Sequence, residues 1–264
     1  MTKGVTQRLP RLALMFVAMA SALPAFAAAE EVQSGNLVMS LRGRLAPLQL
    51  PRDRAVPVGV TLVSRISTSD GTPVPKLRRI EIAFGGGAAI AADGLAICPR
   101  GRLRNATGAE ALGRCSAALV GRGSLPLEIR LPGHLPLRRD PRVLIFNGRG
   151  PGGEAVLWMH VFAAKPPVSF VVAFRIHRDS RGRARGLAAT LPRSVTRWAR
   201  VRGFEVSLRR RYRSHGQSRG YLSASCPVPR PLTAGYFPLV RATFVFAGNR
   251  RLSEEIVRTC RVRP

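Results

Sequence analysis

Apolar and polar residues alternate along most of the chain, with a period of two. Leu37 to Leu41 opens a first strand, and 57–68 alternates into a second before the turn at Asp70-Gly71. In 77–84, Ile80, Ile82 and Phe84 share one face while Arg79 and Glu81 share the other, the signature of a half-buried strand. Leu125, Leu127, Ile129 and Leu131 repeat the pattern, with Glu128 and Arg130 outward. Val143 to Phe146 and Ala155 to Phe162 flank Asn147-Gly-Arg-Gly-Pro-Gly-Gly153, whose glycines supply the positive φ of a hairpin reversal. Phe170, Val172, Phe174 and Ile176, then Phe204, Val206 and Leu208, then 239–246 and 255–262, continue the theme. With 26 Gly and 21 Pro punctuating the chain, the spacing predicts about a dozen strands. That implies an all-β fold, an antiparallel β-sandwich.

The sandwich is expected to span 28–264 as one domain. The alternative is two tandem sandwiches meeting near 165–167, where Lys165-Pro-Pro167 is the strongest linker signal. A faint echo supports that alternative: Arg79-Ile-Glu-Ile-Ala-Phe84 precedes Cys98-Pro99 much as Gly203-Phe-Glu-Val-Ser-Leu208 precedes Cys226-Pro227.

The first 27 residues do not alternate. Lys3, Arg8 and Arg11 precede an apolar run from Leu12 to Leu23, and Ala25-Phe26-Ala27 follows Pro24. This is the layout of a cleaved secretory signal peptide. No later run of about 18 apolar residues is present, so no transmembrane segment is expected after cleavage. Export places the four cysteines, Cys98, Cys115, Cys226 and Cys260, in an oxidising compartment, where they pair. Three connectivities are open. The shortest loops close most readily, which favours Cys98–Cys115 and Cys226–Cys260, worth roughly 3 and 4 kcal/mol in the chain-entropy model. Thr107-Gly-Ala-Glu110 is a capping box, so the first loop should carry one short helix.

Charge then narrows the partners. The chain has 43 Lys+Arg against 14 Asp+Glu, and its formal +29 falls to +26 without Lys3, Arg8 and Arg11. Only three of the basic residues are lysine. Such a charge attracts polyanions. Residues 175–219 hold fourteen arginines against Asp179 and Glu205. Within them Arg200, Arg202, Arg209, Arg210, Arg211, Arg213 and Arg219 are the candidate polyanion contacts, since guanidinium forks match phosphate and carboxylate. Trp198, Tyr212 and Tyr221 are candidate stacking faces. Strict alternation from Trp198 to Phe204 would bury Arg200 and Arg202, so a break in phase is expected at Gly203.

Catalytic signatures are missing. The sequence has no His-Glu-x-x-His, no Gly-x-Ser-x-Gly and no Cys-x-x-Cys, so no catalytic residue, metal site or cofactor is assigned. Gly121-Arg-Gly-Ser124 and Gly85-Gly-Gly87 read as turns. Glu81, Glu128 and Glu205 read as exposed partners of Arg79, Arg130 and Arg209.

Leu45-Ala-Pro-Leu48, Cys98-Pro99 with Cys115, Val120-Gly-Arg-Gly123, Tyr221-Leu-Ser-Ala-Ser-Cys-Pro227 and Cys260-Arg-Val-Arg263 together resemble uncharacterised exported, cysteine-bridged all-β proteins of high-GC actinobacteria. The resemblance implies an exported, disulfide-bonded β protein and brings no function. The expectation is an exported or envelope-associated, non-catalytic protein. Its arginine-rich face would bind an anionic extracellular polymer or membrane surface, and nucleic acid without sequence preference. A cell-wall or glycan hydrolase and a structural envelope protein are the alternatives.

Overall fold

The computed structural model describes residues 30–85, 87–165, 167–178 and 184–263. The expected signal peptide lies outside them. Strand makes up 58% and helix 9%, so the protein is all-β. The N-terminal part forms β1 (Glu30–Ser34), β2 (Leu37–Ala46), β3 (Gln49–Leu50), β4 (Val56–Thr68), β5 (Leu77–Phe84) and β6 (Ala88–Ile90). The first disulfide loop carries helix α1 (Gly108–Cys115) and leads into β7 (Leu119–Ser124), β8 (Leu127–Ile129) and β9 (Leu137–Arg139). A meander follows: β10 (Arg142–Arg149), β11 (Ala155–Ala163), β12 (Val168–Arg178) and β13 (Ala184–Thr190). After a single turn, α2 (Arg193–Thr196), come β14 (Ala199–Val201), β15 (Gly203–Leu208), β16 (Arg211–Ser214), β17 (Gln217–Gly220) and β18 (Leu222–Ala224). The long pair β19 (Ala234–Phe246) and β20 (Arg251–Val262) closes the chain.

Fifteen strands join one sheet, in the order β1-β2-β4-β15-β7-β10-β11-β12-β13-β5-β19-β20-β3. β6 and β18 bridge β13 to β4, so the nine strands β4-β15-β7-β10-β11-β12-β13-β6-β18 form a hydrogen-bonded circuit. The rest of the sheet folds over itself: a Cβ on Gly43 of β2 would stand 2.8 Å from Ile256 of β20 and 3.0 Å from Leu239 of β19. Only glycine lets these layers approach so closely. β14-β8-β9 form a separate small sheet, and β16–β17 a separate hairpin.

Pairing continues on both sides of the expected linker, with Ala163 opposite Val168. The two echo segments, β5 and β15, face one apolar interior through Ile80, Ile82 and Phe84 and through Phe204, Val206 and Leu208. Gly121 to Ser124 is a strand rather than the turn its composition suggested. β15 lies so close that a Cβ on Gly123 would overlap the carbonyl of Glu205, so glycine there serves close approach rather than chain reversal.

β10 and β11 are buried on both faces, which explains their unbroken apolar runs. Val143, Ile145, Leu157 and Met159 belong to the main core. Leu144, Phe146, Val156 and Trp158 face the other way, into a second cluster with Leu103, Ala111 and the first disulfide. Burying Phe146 there contributes about 2–3 kcal/mol. Both disulfides form, Cys98–Cys115 with Cα atoms 5.5 Å apart and Cys226–Cys260 with 5.8 Å. The capping box is present: Glu110 N donates to Thr107 Oγ1 at 3.2 Å, and Thr107 N to Glu110 Oε2 at 2.7 Å. The stapled loop therefore acts as a lid on the outer face of β10 and β11. Among the described residues, no helix is long and apolar enough to cross a membrane.

Candidate functional site

The outward face of β2-β4-β15-β7-β10 gathers arginines from distant parts of the chain. One row of register partners runs Arg44, Thr61, Ser207, Arg122. The next runs Arg42, Val63, Glu205, Ser124, Arg142, and Arg65 stands beyond, opposite Ser40 and Gly203. Arg42, Arg44, Arg65, Arg122 and Arg142 are all exposed. Arg209 lies over the same face, its Nη2 donating to Thr61 Oγ1 at 3.2 Å. Glu205 is the acid in the second of these rows, and Glu31 of β1, exposed and opposite Ser40, extends the row of Arg65. Strand alternation dictates the arrangement: Leu41, Gly43 and Leu45 fill the inner face of β2, which turns Arg42 and Arg44 outward. Like charges on neighbouring strands repel, so the face gives up stability for a concentrated positive potential.

Two grooves border this face and meet at Arg139 and Asp140. One, of about 670 Å³, runs between the sheet and β8-β9 and is lined by Arg65, Arg138, Arg139, Arg202, Asp140 and Glu205 among others. The other, of about 920 Å³, runs beneath the stapled loop, with Arg122, Arg139, Arg142 and Lys165 at its edges.

The arginines singled out from sequence are dispersed by the fold. Arg200 and Arg202 surround a carboxylate. In the small sheet Glu128 stands opposite Arg200 on one side and Arg138 on the other. It also takes a 2.7 Å contact from Arg130 Nε and a 3.3 Å contact from Arg202 Nη1. Glu128 is thus a buried hub and not an exposed pair member, because β8 leaves the main sheet at Pro126 and turns this face inward. Leu131 is correspondingly 45% exposed, against the inward placement its parity suggested. Arg200 also donates to Thr196 O at 3.3 Å. Arg210 Nη2 donates to Ala117 O at 3.2 Å, beside the stapled loop. Arg211 and Arg213 are exposed on the β16 edge of the hairpin, and Arg219 is half-buried opposite Tyr212.

The stacking candidates also divide. Tyr221 is fully buried, so its ring offers no stacking face, and its hydroxyl has no partner. Tyr212 is half-buried and its hydroxyl reaches Ala91 O and Asp93 O, each at 3.1 Å. It pins the hairpin to the body, and it cannot stack without leaving that seat. Trp198 is 38% exposed, with the Arg197 guanidinium 5.7 Å from its ring centre. The phase break at Gly203 is where the chain crosses from the small sheet to the main one. Gly203 has φ +150°, and a Cβ there would overlap the Ser64 carbonyl. Of the expected exposed pairs, Arg79–Glu81 forms at 2.7 Å. Arg209 turns instead to Thr61, leaving Glu205 on the basic face.

Environment sets the charge states. Burial pushes the Glu128 pKa up, but the Arg130 hydrogen bond and the charges of Arg130, Arg202 and Arg138 outweigh it, leaving Glu128 below its ordinary value. Burial lowers His160, opposed by its contact with Ala106 O. His160 is fully buried, its Nε2 is 2.9 Å from Ala106 O, and its Nδ1 has no partner. Among the described residues no three His, Cys, Asp or Glu side chains gather as metal ligands.

Sequence reading missed Arg42, Arg44, Arg65, Arg122 and Arg142. The alternation of 37–46 carried a signal for the first two, but local arginine density pointed elsewhere. No protein-family model matches this chain, and neither does any curated protein sequence.

Proposed function

We propose that this is an exported protein that binds an anionic polymer of the cell envelope or its surroundings, through the outer face of β2-β4-β15-β7. One observation carries the reading. Arg42, Arg44, Arg65, Arg122 and Arg209 converge on one sheet face, whose rows hold only two acids among the described residues, Glu205 and Glu31. An extended polyanion lying across the strands would meet guanidinium forks on β2, β4 and β7 and from Arg209, just past the end of β15. The two disulfides and the N-terminal charge and apolar pattern support export.

The test is charge reversal. Arg42→Glu with Arg44→Glu should weaken binding to a soluble acidic glycan far more than Arg211→Glu with Arg213→Glu on the hairpin. Equal losses would mean diffuse attraction and no site.

A glycan hydrolase is the second reading, favoured by Asp140 and Glu205 lining the same groove. Two carboxylates flanking a bound sugar are the usual machinery of that reaction. Release of reducing ends from cell-wall glycan, abolished by Glu205→Gln, would support it.

A further inference from the structure

The groove beneath the stapled loop differs from the basic face in one respect: its lining is largely apolar. Leu112 of α1 forms one wall, and Leu144, Phe162, Ala163 and Ala164 contribute the floor and far side. Cations stand only at its edges, where Arg122, Arg139, Arg142 and Lys165 oppose the single acid Asp140. Arg139 is held in place, with its Nε donating to Lys165 O at 2.8 Å. The N-terminus of α1 is not the anchor, because the capping box already occupies it. A hydrophilic polyanion would satisfy the edges and leave the apolar floor wet. A plain hydrocarbon would cover the floor and leave the cations without partners. His160 also lines the groove, but it is fully buried, with its Nε2 2.9 Å from Ala106 O.

We propose that this groove binds an anionic amphiphile: a phosphate headgroup held by Arg122, Arg139, Arg142 and Lys165, with a single hydrocarbon chain lying against Leu112, Leu144 and Phe162. The volume, about 920 Å³, falls within the roughly 300–1,000 Å³ range of small-molecule sites. The chain gains by removal of apolar surface from water, the headgroup by charge-assisted hydrogen bonds. The site goes beyond the polymer reading and occupies a different part of the surface, sharing with the basic face only Arg122 and, at that face's margin, Arg142.

The experiment is calorimetric titration of the oxidised chain with octyl phosphate, dodecyl phosphate, inorganic phosphate and dodecyl maltoside, each below its micelle concentration. Dodecyl phosphate should bind one equivalent, at least roughly tenfold tighter than octyl phosphate, since burial of two chain methylenes already gives about that factor. Inorganic phosphate and dodecyl maltoside should each bind more weakly than dodecyl phosphate. Ala109→Asp combined with Lys165→Glu should abolish the dodecyl phosphate site. Both positions are exposed, and Asp in the first turn of α1 favours the helix, so folding is retained. Affinity independent of chain length, or unchanged by the double variant, would overturn the proposal. Glycan binding measured in parallel keeps the two claims apart. Its failure with the chain-length effect intact removes the polymer reading alone, and the converse removes this one alone.

Discussion

Arg202 Nη1 lies 3.3 Å from Oε2 of Glu128, a carboxylate whose side chain is 7% exposed. One of the seven arginines expected to contact a polyanion is therefore partly neutralised by the protein itself. Arg130 completes the arrangement on the other carboxylate oxygen at 2.7 Å. Removing the hub carboxylate strands its guanidiniums at half-buried positions. Glu128→Gln is predicted to destabilise the fold by about 1–3 kcal/mol, below the full value for breaking a buried pair because Arg130 and Arg202 remain partly solvated. Urea denaturation measures it, and a change under about 0.5 kcal/mol, typical of a surface pair, would show that the hub contributes little.

The same residue sets an acid limb. Glu128 sits below its ordinary value of 4.5 in the folded state. Its contribution is complete above the unfolded pKa and is lost as pH falls through the folded one. His160 is lowered from 6.5, so its contribution is likewise complete above 6.5 and begins to be lost below it. Stability should therefore decline in two stages on acidification. His160→Gln should flatten the first and Glu128→Gln the second. Denaturation midpoints across a pH series test this, and a wild-type slope retained in both variants would contradict it.

Trp158 reports on the stapled loop. Its indole is buried and donates to Cys98 O at 3.1 Å. Cys98→Ser with Cys115→Ser should cost roughly 3 kcal/mol. It should also red-shift the tryptophan emission as the loop lifts from β10 and β11. An unshifted spectrum would show that the loop holds its place without the bridge.

The basic face should be stabilised by losing charge. Arg42→Thr and Arg44→Thr each replace a repelled guanidinium with a good strand former. Each should raise stability by a few tenths of a kcal/mol while weakening glycan binding. A gain in stability with no loss of binding would mean that these side chains serve no ligand.

Several elements were legible because their cause is local. Alternation located β5, β12 and β15, the glycine-rich turn at 147–153 between two apolar runs located β10 and β11, and Thr107 with Glu110 announced α1. Loop length favoured both disulfides. Glu128 and Leu131 went the other way because the chain changes sheets at Pro126, which parity along one strand does not register. The basic face was out of reach for a related reason. Arg44, Thr61, Ser207 and Arg122 become neighbours only through register between strands 17 to 146 residues apart in sequence, and no local pattern fixes that order. Tyr221, by contrast, was drawn into the candidate site by its arginine neighbours, although its ring fills the core.

The most direct test of the account is the salt dependence of acidic-glycan binding by the oxidised chain between roughly 50 and 200 mM, compared with Arg42→Glu/Arg44→Glu. Counterion release predicts a steep linear fall of log affinity with log salt, and a slope shallower by about one for each contacting guanidinium lost. A flat wild-type line, or a slope identical in the variant, would contradict binding through this face.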